Sequence, residues 1–371
     1  MADEKKSRVI IEQAGDNLRE NVETIMKAMA PQNFAGAKVL VKPNMVGPSA
    51  PEFGHTTSPE LLRAVVNACL DRNGKVMVGD NPGGINRNSH TVAEITGILD
   101  ASEGCFTSIS ERVVEYSGIE TGLQMVVSKA IPEADYIINL PVFKTHLGMM
   151  ITGAIKNTFG YIAGACKARL HVEARSTEML ARAICDVFQV RPPDLNIIDA
   201  ITAIEGNGPC HGGRLRRVGK LLASTDALAV DAVMARMMGV DPEILPAQKQ
   251  ALARGLGKLA ADEIEIKGQF TQIPDFKMPV TFYPSRTTEK RSEIKGLYPG
   301  DMMRDRIAIK PSYIEESCCQ CEDCVVNCPA HAIQIKPEFS ISDECITCFC
   351  CVELCPEGAL VVPDVAAFRH Y

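Results

Sequence analysis

The sequence predicts an α/β protein: a mostly parallel sheet with flanking helices, followed by a small C-terminal α+β unit. Three observations carry this. Short apolar runs at 37–41, 75–78, 136–140 and 195–198 alternate with segments of helical apolar spacing. Strands buried on both faces read as such continuous runs, and strand–helix alternation with short connections points to a parallel sheet. Most of the runs stop at Pro, Gly, Asp or Asn, as strand ends do. Near the C-terminus one cysteine spacing occurs twice, which marks a separate unit.

Each element has its own warrant. Val9–Ile11 is a short opening strand. Residues 17–29 predict a helix, because Leu18, Val22, Ile25 and Met26 recur at helical spacing. The run at 37–41 is a buried strand ending at Lys42-Pro43-Asn44. Ser58-Pro59-Glu60 is a helix start, with an N-cap serine, Pro at the first helical position and an acid in the first turn. Leu61, Leu62, Val65, Val66, Cys69 and Leu70 form its apolar face, and Gly74 stops it. The strand at 75–78 runs into the turn-forming Gly79-Asp80-Asn81-Pro82-Gly83-Gly84. A strand at 136–140 precedes Pro141, a helix covers 177–188, and a strand at 195–198 precedes Asp199. Residues 221–223 form a strand, and 226–238 a helix ended by Gly239. These elements make an α/β domain over 8–267. Residues 268–311 hold five prolines among many charges and predict a linker with short elements. The cysteine-rich domain follows at 312–363, with short strands at 332–335 and 359–362.

Composition narrows the function class. The chain has 371 residues, enough for two domains, and 46% of them are hydrophobic. Its formal net charge is −7, which argues against a general nucleic-acid binder. No stretch approaches the roughly 20 apolar residues of a membrane span. The charged start, Met1 to Arg8, lacks the apolar core of a signal peptide. A cytoplasmic location is therefore expected. Fifteen cysteines in a reducing compartment point to metal-bound thiolates rather than disulfides, and so many thiols suit a low-oxygen cell.

The doubled run is Cys318-x2-Cys321-x2-Cys324-x3-Cys328-Pro329, then Cys345-x2-Cys348-x2-Cys351-x3-Cys355-Pro356. Each residue of the second lies 27 positions after its counterpart. This is the bacterial two-cluster ferredoxin pattern, in which the fourth cysteine of each run ligates the other cluster. It predicts two [4Fe–4S] clusters, one held by Cys318, Cys321, Cys324 and Cys355, the other by Cys345, Cys348, Cys351 and Cys328. Zinc sites use two separated ligand pairs, so two full runs ending in Cys-Pro disfavour zinc. Cys69, Cys105, Cys166, Cys185, Cys210, Cys319 and Cys350 stand outside the pattern.

A set of short motifs occupies the longer domain: Lys42-Pro43-Asn44, Thr56 to Leu61, Gly79 to Gly83, Lys144-Thr145-His146, Ile155-Lys156-Asn157, Asp199-x5-Glu205-Gly206-Asn207-Gly208-Pro209 and Asp226-x4-Asp231-Ala232. Together they resemble the uncharacterised iron–sulfur family known as domain of unknown function 362, over roughly residues 8–240. The resemblance implies an α/β domain, redox work and, in many members, a C-terminal two-cluster ferredoxin unit.

The motif residues read physically as well. In an open parallel sheet, ligands bind outside the carboxyl ends of the strands. Lys42, Asn44, Asp80, Asn81, Lys144, His146, Asp199 and Glu205 all follow predicted strands. Lys144 and His146 are candidate catalytic groups, His146 as proton donor or metal ligand. Lys42, Asn44, Asp80, Asn81, Lys156, Asn157, Asp199 and Glu205 are candidate binding residues for a small polar or anionic substrate. Each has a bland alternative: a solvated loop charge for Lys42 and Lys144, a turn cap for Asp199, a helix-surface pair for Lys156 and Asn157. His171 ranks behind them. Neither Gly83-Gly84 nor Gly206-x-Gly208 matches a nucleotide-binding fingerprint.

Three functions remain open. The chain is an enzyme that passes electrons between its clusters and a small molecule, an electron carrier or adaptor docking a partner oxidoreductase, or a maturation factor. A redox partner protein is expected in each case.

Overall fold

A computed structural model of the chain describes residues 6–15, 17–84, 87–174, 176–282 and 310–362. The first half builds β1 (Ser7–Gln13), α1 (Leu18–Met29), β2 (Lys38–Lys42), α2 (Pro59–Leu70), β3 (Lys75–Val78), α3 (Ser89–Ile95), α4 (Ile98–Ala101), the hairpin β4 (Val113–Ser117) and β5 (Gln124–Ser128), and α5 (Ala130–Glu133). Then follow β6 (Tyr136–Asn139), β7 (Val142–His146), β8 (Met150–Ile151), α6 (Gly153–Asn157), α7 (Cys166–Glu173), α8 (Thr177–Val190), β9 (Leu195–Gly206), β10 (Gly213–Ser224), α9 (Ala227–Met237), α10 (Pro246–Ala253) and β11 (Ile264–Gly268).

The main sheet runs β11-β1-β10-β9-β6-β2-β3, and β7 pairs with β9 beyond the end of β6. Pairings of β2 with β3 and β6, of β9 with β6 and β7, and of β1 with β11 are parallel. The β1–β10 and β10–β9 pairings are antiparallel. The expected mostly parallel sheet is thus present, with an antiparallel insertion where two twelve-residue strands form a long hairpin. The sequence reading saw only the apolar ends of that hairpin. Its other half carries Arg214, Arg216 and Arg217, which do not read as a buried strand.

Side-chain alternation divides the core into two layers. Ile10, Val39, Val41, Ile138, Ile197 and Leu221 point to the face covered by α1 and α2, where Val22, Ile25, Leu61 and Val65 are fully buried. Ile11, Leu40, Ile137, Ile198 and Leu222 point to the opposite face, against Ile155, Ile184 and Val233 of α6, α8 and α9. A period of two along each strand sends neighbours to opposite faces, so a sheet apolar on both faces requires helices on both.

The chain leaves β6 at Leu140-Pro141 and re-enters the sheet as β7. Pro141 has no N–H to give to a ladder, and its carbonyl accepts from Asp199 N at 2.8 Å. That step carries Lys144 and His146 past the carboxyl end of β6. Residues 269–282 pack onto this domain: Ile273 N donates to Met237 O, Gly206 N donates to Lys277 O, and Phe276 lies against Phe143. The first part of the expected linker therefore belongs to the α/β body. Residues 283–309, the rest of it, lie outside the described residues.

The C-terminal module repeats itself in backbone as well as sequence. β12 (Ser312–Tyr313) pairs with β15 (Leu360–Val361), and β13 (Ile333–Gln334) with β14 (Ser340–Ile341). The beginning of each half thus pairs with the end of the other. Gln320, Glu322 and His331 take positive φ, and so do Thr347, Phe349 and Gly358, each 27 residues on. Helical turns at Asp323–Val326 and Cys350–Leu354 occupy matching places.

Candidate functional site

The carboxyl ends of β2, β3, β6 and β7 meet on one rim, and the polar motifs converge there. Lys42 ends β2 and is fully buried; its Nζ lies 2.8 Å from Asp80 Oδ1 and donates to Pro43 O at 3.0 Å. Burial pushes the Lys42 ammonium to a lower pKa, against the pull of Asp80. Asp80 Oδ2 also accepts from Met45 N. Gly160 faces this pair closely. A Cβ there would lie 2.0 Å from Asp80 Oδ1 and 2.8 Å from Lys42 Nζ.

Lys144 sits on β7 with no exposed surface. Its Nζ donates to Asn44 Oδ1 at 2.7 Å and to His55 O at 2.5 Å. From there a chain of amides crosses the sheet. Asn44 Nδ2 donates to Asn157 Oδ1, Asn157 Nδ2 to Asn139 Oδ1, and Asn139 Nδ2 to Asn196 Oδ1, at 2.7, 2.8 and 2.9 Å. Each amide is held by the next, so the head of Lys144 is fixed by groups in the loops after β2 and, through them, on α6, β6 and β9. Burial lowers its pKa to about 8.

Helix α6 brings Lys156 and Asn157 to the same place. The N-terminus of α6 is held by Asp231 on α9, whose carboxylate accepts from Ala154 N and Ile155 N at 2.5 and 3.2 Å and from Gln248 Nε2 at 3.0 Å. Burial raises that carboxyl to about 7. Gly153, at φ 58°, is required here: a Cβ would meet Asp231 Oδ1 at 2.5 Å. From α7, Lys167 donates to the carbonyls of Asn81 and Pro82. Burial lowers its pKa to about 8.

The C-terminal module closes over this rim. Arg87 Nη2 donates to Asp323 Oδ2 at 2.7 Å and to Leu354 O at 3.0 Å. Asn207 Nδ2 donates to Val362 O at 3.3 Å. His146 Nε2 lies 3.0 Å from Glu353 Oε1. The result is a cavity of about 120 Å³, walled by Lys144, Lys156, Lys167, His146 and His171 from below and by Cys350, Glu353 and Leu354 from above.

Most of the sequence candidates arrive here. Asn44, Asp80, Asn81, Lys144, His146, Lys156 and Asn157 line the cavity, with Lys42 behind Asp80. Asp199 and Glu205 do not. Asp199 is buried and holds Ser58 N at the start of α2 and Ile201 N, while Glu205 accepts from Arg216 and Lys277 N on the outer hairpin. The strand β9 runs on past its parallel partners, and its polar residues leave the rim with it. Both ring nitrogens of His146 have protein partners. Its Nδ1 accepts from Gly148 N and Met149 N, so its proton sits on Nε2 and faces Glu353. Burial holds the ring neutral, with a pKa of about 4. Glu353, Lys167 and the amides of Asn139 and Asn196 were not picked out from sequence. The signal for the amides is a polar residue inside an apolar strand run; for Glu353 there is none.

Two of the module's buried thiols feel cysteines from both repeats. Burial first, then the neighbouring Cys355, Cys321 and Cys318, push the Cys324 thiol up to about 11. Cys351 is pushed up by burial and then by Cys348, Cys345, Cys328 and Cys324. Backbone N–H groups point at the sulfurs: Gln320 N to Cys318, Thr347 N to Cys345, Ala332 N to Cys328 and Ala359 N to Cys355, at 3.2–3.5 Å. Cys319 and Cys321 are exposed, whereas Cys348 lines a small cavity shared with His146 and Lys156. No helix among the described residues is long and apolar enough to cross a membrane.

Known proteins resemble this chain in three ways. A solved structure, the lactate racemase apoprotein from Thermoanaerobacterium thermosaccharolyticum, superposes over 79% of this chain and 91% of its own with a TM-score of 0.39 and 11% identity. The Thylakoid-associated protein sll1697 of Synechocystis sp. is 31% identical over 277 residues, covering 71% of this chain and 84% of that protein. Residues 39–236, which include every strand end of the rim, match the family described as Domain of unknown function (DUF362). The chain belongs to that family.

Proposed function

We propose that this chain is an iron–sulfur redox protein of a reducing cytoplasm, whose C-terminal module carries two [4Fe–4S] clusters and exchanges electrons with a small molecule held in the lysine-walled cavity. One observation carries the reading: Cys350, between the expected ligands Cys348 and Cys351, lines the cavity beside Lys156 and Glu353. The donor set suits the clusters in its spacing and surroundings, since backbone N–H groups of the kind that stabilise cluster sulfurs approach Cys318, Cys328, Cys345 and Cys355. Bound there, the clusters would supply one-electron transfer.

The protein's own residues do the rest. Lys144 and Lys156 bind the molecule, the amide chain fixes Lys144, and the module covers the site from above. The two cysteine groups differ in exposure, which supports a direction. The group with exposed Cys321 and neighbouring Cys319 faces solvent beside Glu315 and Glu316, where a redox partner protein can dock. The other group abuts the cavity. That exposed end also keeps the second reading alive, in which the protein is an electron carrier, adaptor or maturation factor without substrate chemistry of its own.

The test is anaerobic. Reduced protein is mixed with small anionic oxidants and its reoxidation is followed optically. The proposal expects a rate that saturates with the small molecule and falls in Lys156→Ala. Rapid reoxidation by a partner protein, with no small molecule accelerating it, would favour the carrier instead.

A further inference from the structure

The cavity's charge identifies the class of molecule it holds, on the reading that it is a small-molecule site. Lys42 and Asp80 form an ion pair and cancel. Lys144, Lys156 and Lys167 remain, set against one carboxylate, Glu353. His146 and His171 are both kept neutral by burial. Counted over the protein's side chains, two positive charges are therefore uncompensated in a half-open space beneath the C-terminal module. Lys144 is fully buried and Lys156 and Lys167 are partly so; charge withdrawn from water without a partner is costly, and proteins tolerate it where a ligand supplies the counter-charge.

The three lysines are not equivalent. Lys144 donates to Asn44 and His55, and Lys167 to two backbone carbonyls. Lys156 has no hydrogen-bond or ion-pair partner among the described residues, although Asp231 and Gly153 hold its helix in one position. A lysine serving only the fold would be paired, as Lys42 is. The volume sets the size. About 120 Å³ is somewhat less than the roughly 150 Å³ that takes up benzene, and too little for a nucleotide.

We infer that the cavity binds a compact dianion with its charge on oxygens, either a short dicarboxylate or a phosphoryl group, and that Lys156 is its principal contact. Lys144 and Lys167 neutralise the second charge. The module, through Glu353 and Leu354, shapes the roof and lowers the dielectric beneath it, which strengthens each charge-assisted hydrogen bond.

Calorimetric titration of the full chain with malonate, inorganic phosphate and acetate at matched ionic strength tests this. Malonate or phosphate should bind at least about tenfold more tightly than acetate, the loss of one charge-assisted contact being worth about that factor or more. Malonate ahead of phosphate assigns the dicarboxylate; the reverse assigns the phosphoryl group. Lys156→Met should weaken the tighter dianion about tenfold or more, and Lys156→Arg should keep most of the affinity. Wild-type protein that prefers neither dianion to acetate overturns the inference, whether or not the Met variant folds. So does a folded Lys156→Met that binds as wild type does. The titration reads heat, not electron transfer. Protein that binds dianions but holds no iron sinks the redox reading and leaves this one standing; iron-loaded protein that binds none does the opposite.

Discussion

His146 Nε2 and Glu353 Oε1 meet at 3.0 Å, although the residues lie in different domains and 207 positions apart in sequence. The contact fixes both groups. The two backbone N–H groups on Nδ1 leave only Nε2 to carry a proton, and that proton is aimed at a carboxylate. Burial alone would raise the Glu353 carboxyl, but His146, Lys156 and His171 beside it hold it down to about 2. Near neutral pH the pair is therefore a neutral imidazole donating to a carboxylate, not an ion pair. A hydrogen bond to a charged group contributes about 1.5–3 kcal/mol. A double-mutant cycle with His146→Ala and Glu353→Ala should return a coupling of that order, read as faster amide hydrogen exchange in 312–362. Additive effects would mean that the two side chains only happen to lie close.

Gly160 gives a test of the buried ion pair. A methyl group there falls 2.0 Å from Asp80 Oδ1, so Gly160→Ala must displace Asp80 or Lys42. Forced overpacking costs about 1–3 kcal/mol. Gly122 has a positive φ of 67° and nothing within 4 Å, so Gly122→Ala bears only the left-handed backbone cost, about 1–2 kcal/mol, with no clash added. Chemical denaturation should rank Gly160→Ala well below Gly122→Ala in stability.

The site was legible where a strand end carried the signal. Lys42, Asp80, Asn81 and Lys144 sit at or beyond the ends of apolar runs, and parallel topology does the rest. The same rule failed for Asp199 and Glu205, because β9 continues as an antiparallel hairpin for which the apolar run gave no warning. Glu353 could not have been read at all. It lies inside a cysteine run whose spacing explains every neighbour, and its role exists only once the module docks. The repeat itself was fully visible, whereas the pairing of each half's start with the other's end is a property of tertiary structure.

Lys144 makes a pH prediction with a definite sign. Its pKa is about 8 in the folded protein against the ordinary 10.5. Between those values the unfolded chain holds a proton that the folded chain has released, so stability due to this group rises with pH across the window and is level below it. Wild type should therefore gain stability relative to Lys144→Met as pH climbs from about 8 towards 10.5. Dianion binding moves the opposite way, since it needs the ammonium forms of Lys144 and Lys167 and should weaken above about 8. Malonate affinity that stays flat through that range would remove both lysines from the site.

Asp231 should behave as a positioning residue. Its carboxyl is raised by burial to about 7 from 3.8, so the folded state holds the proton more tightly and stability from this group falls as pH rises between those values. Asp231→Ala leaves the N–H groups of Ala154 and Ile155 buried and unpaired, each costing about 1–3 kcal/mol. Asp231→Asn keeps one acceptor and removes the pH dependence. If Asp231 acts by holding α6, Asp231→Asn should lower malonate affinity less than Lys156→Met does while flattening the stability profile from pH 4 to 7.

The last prediction concerns the cysteines. Anaerobically purified protein should contain about eight iron and eight sulfide per chain, the content of two [4Fe–4S] clusters. Cys355 is nearest in sequence to Cys351, but it influences Cys324 from across the repeat. Cys355→Ser should therefore disturb the cluster held by Cys318, Cys321 and Cys324, on the exposed side, and leave the one beside the cavity. Cys328→Ser should do the reverse. The two can be told apart spectroscopically, because only the second cluster would feel malonate in the cavity. If Cys355→Ser abolished the malonate-sensitive signal and spared the other, ligation would be sequential within each run. The crossed pairing of β12 with β15 and of β13 with β14 argues against that outcome, since it brings the end of each half to the beginning of its partner.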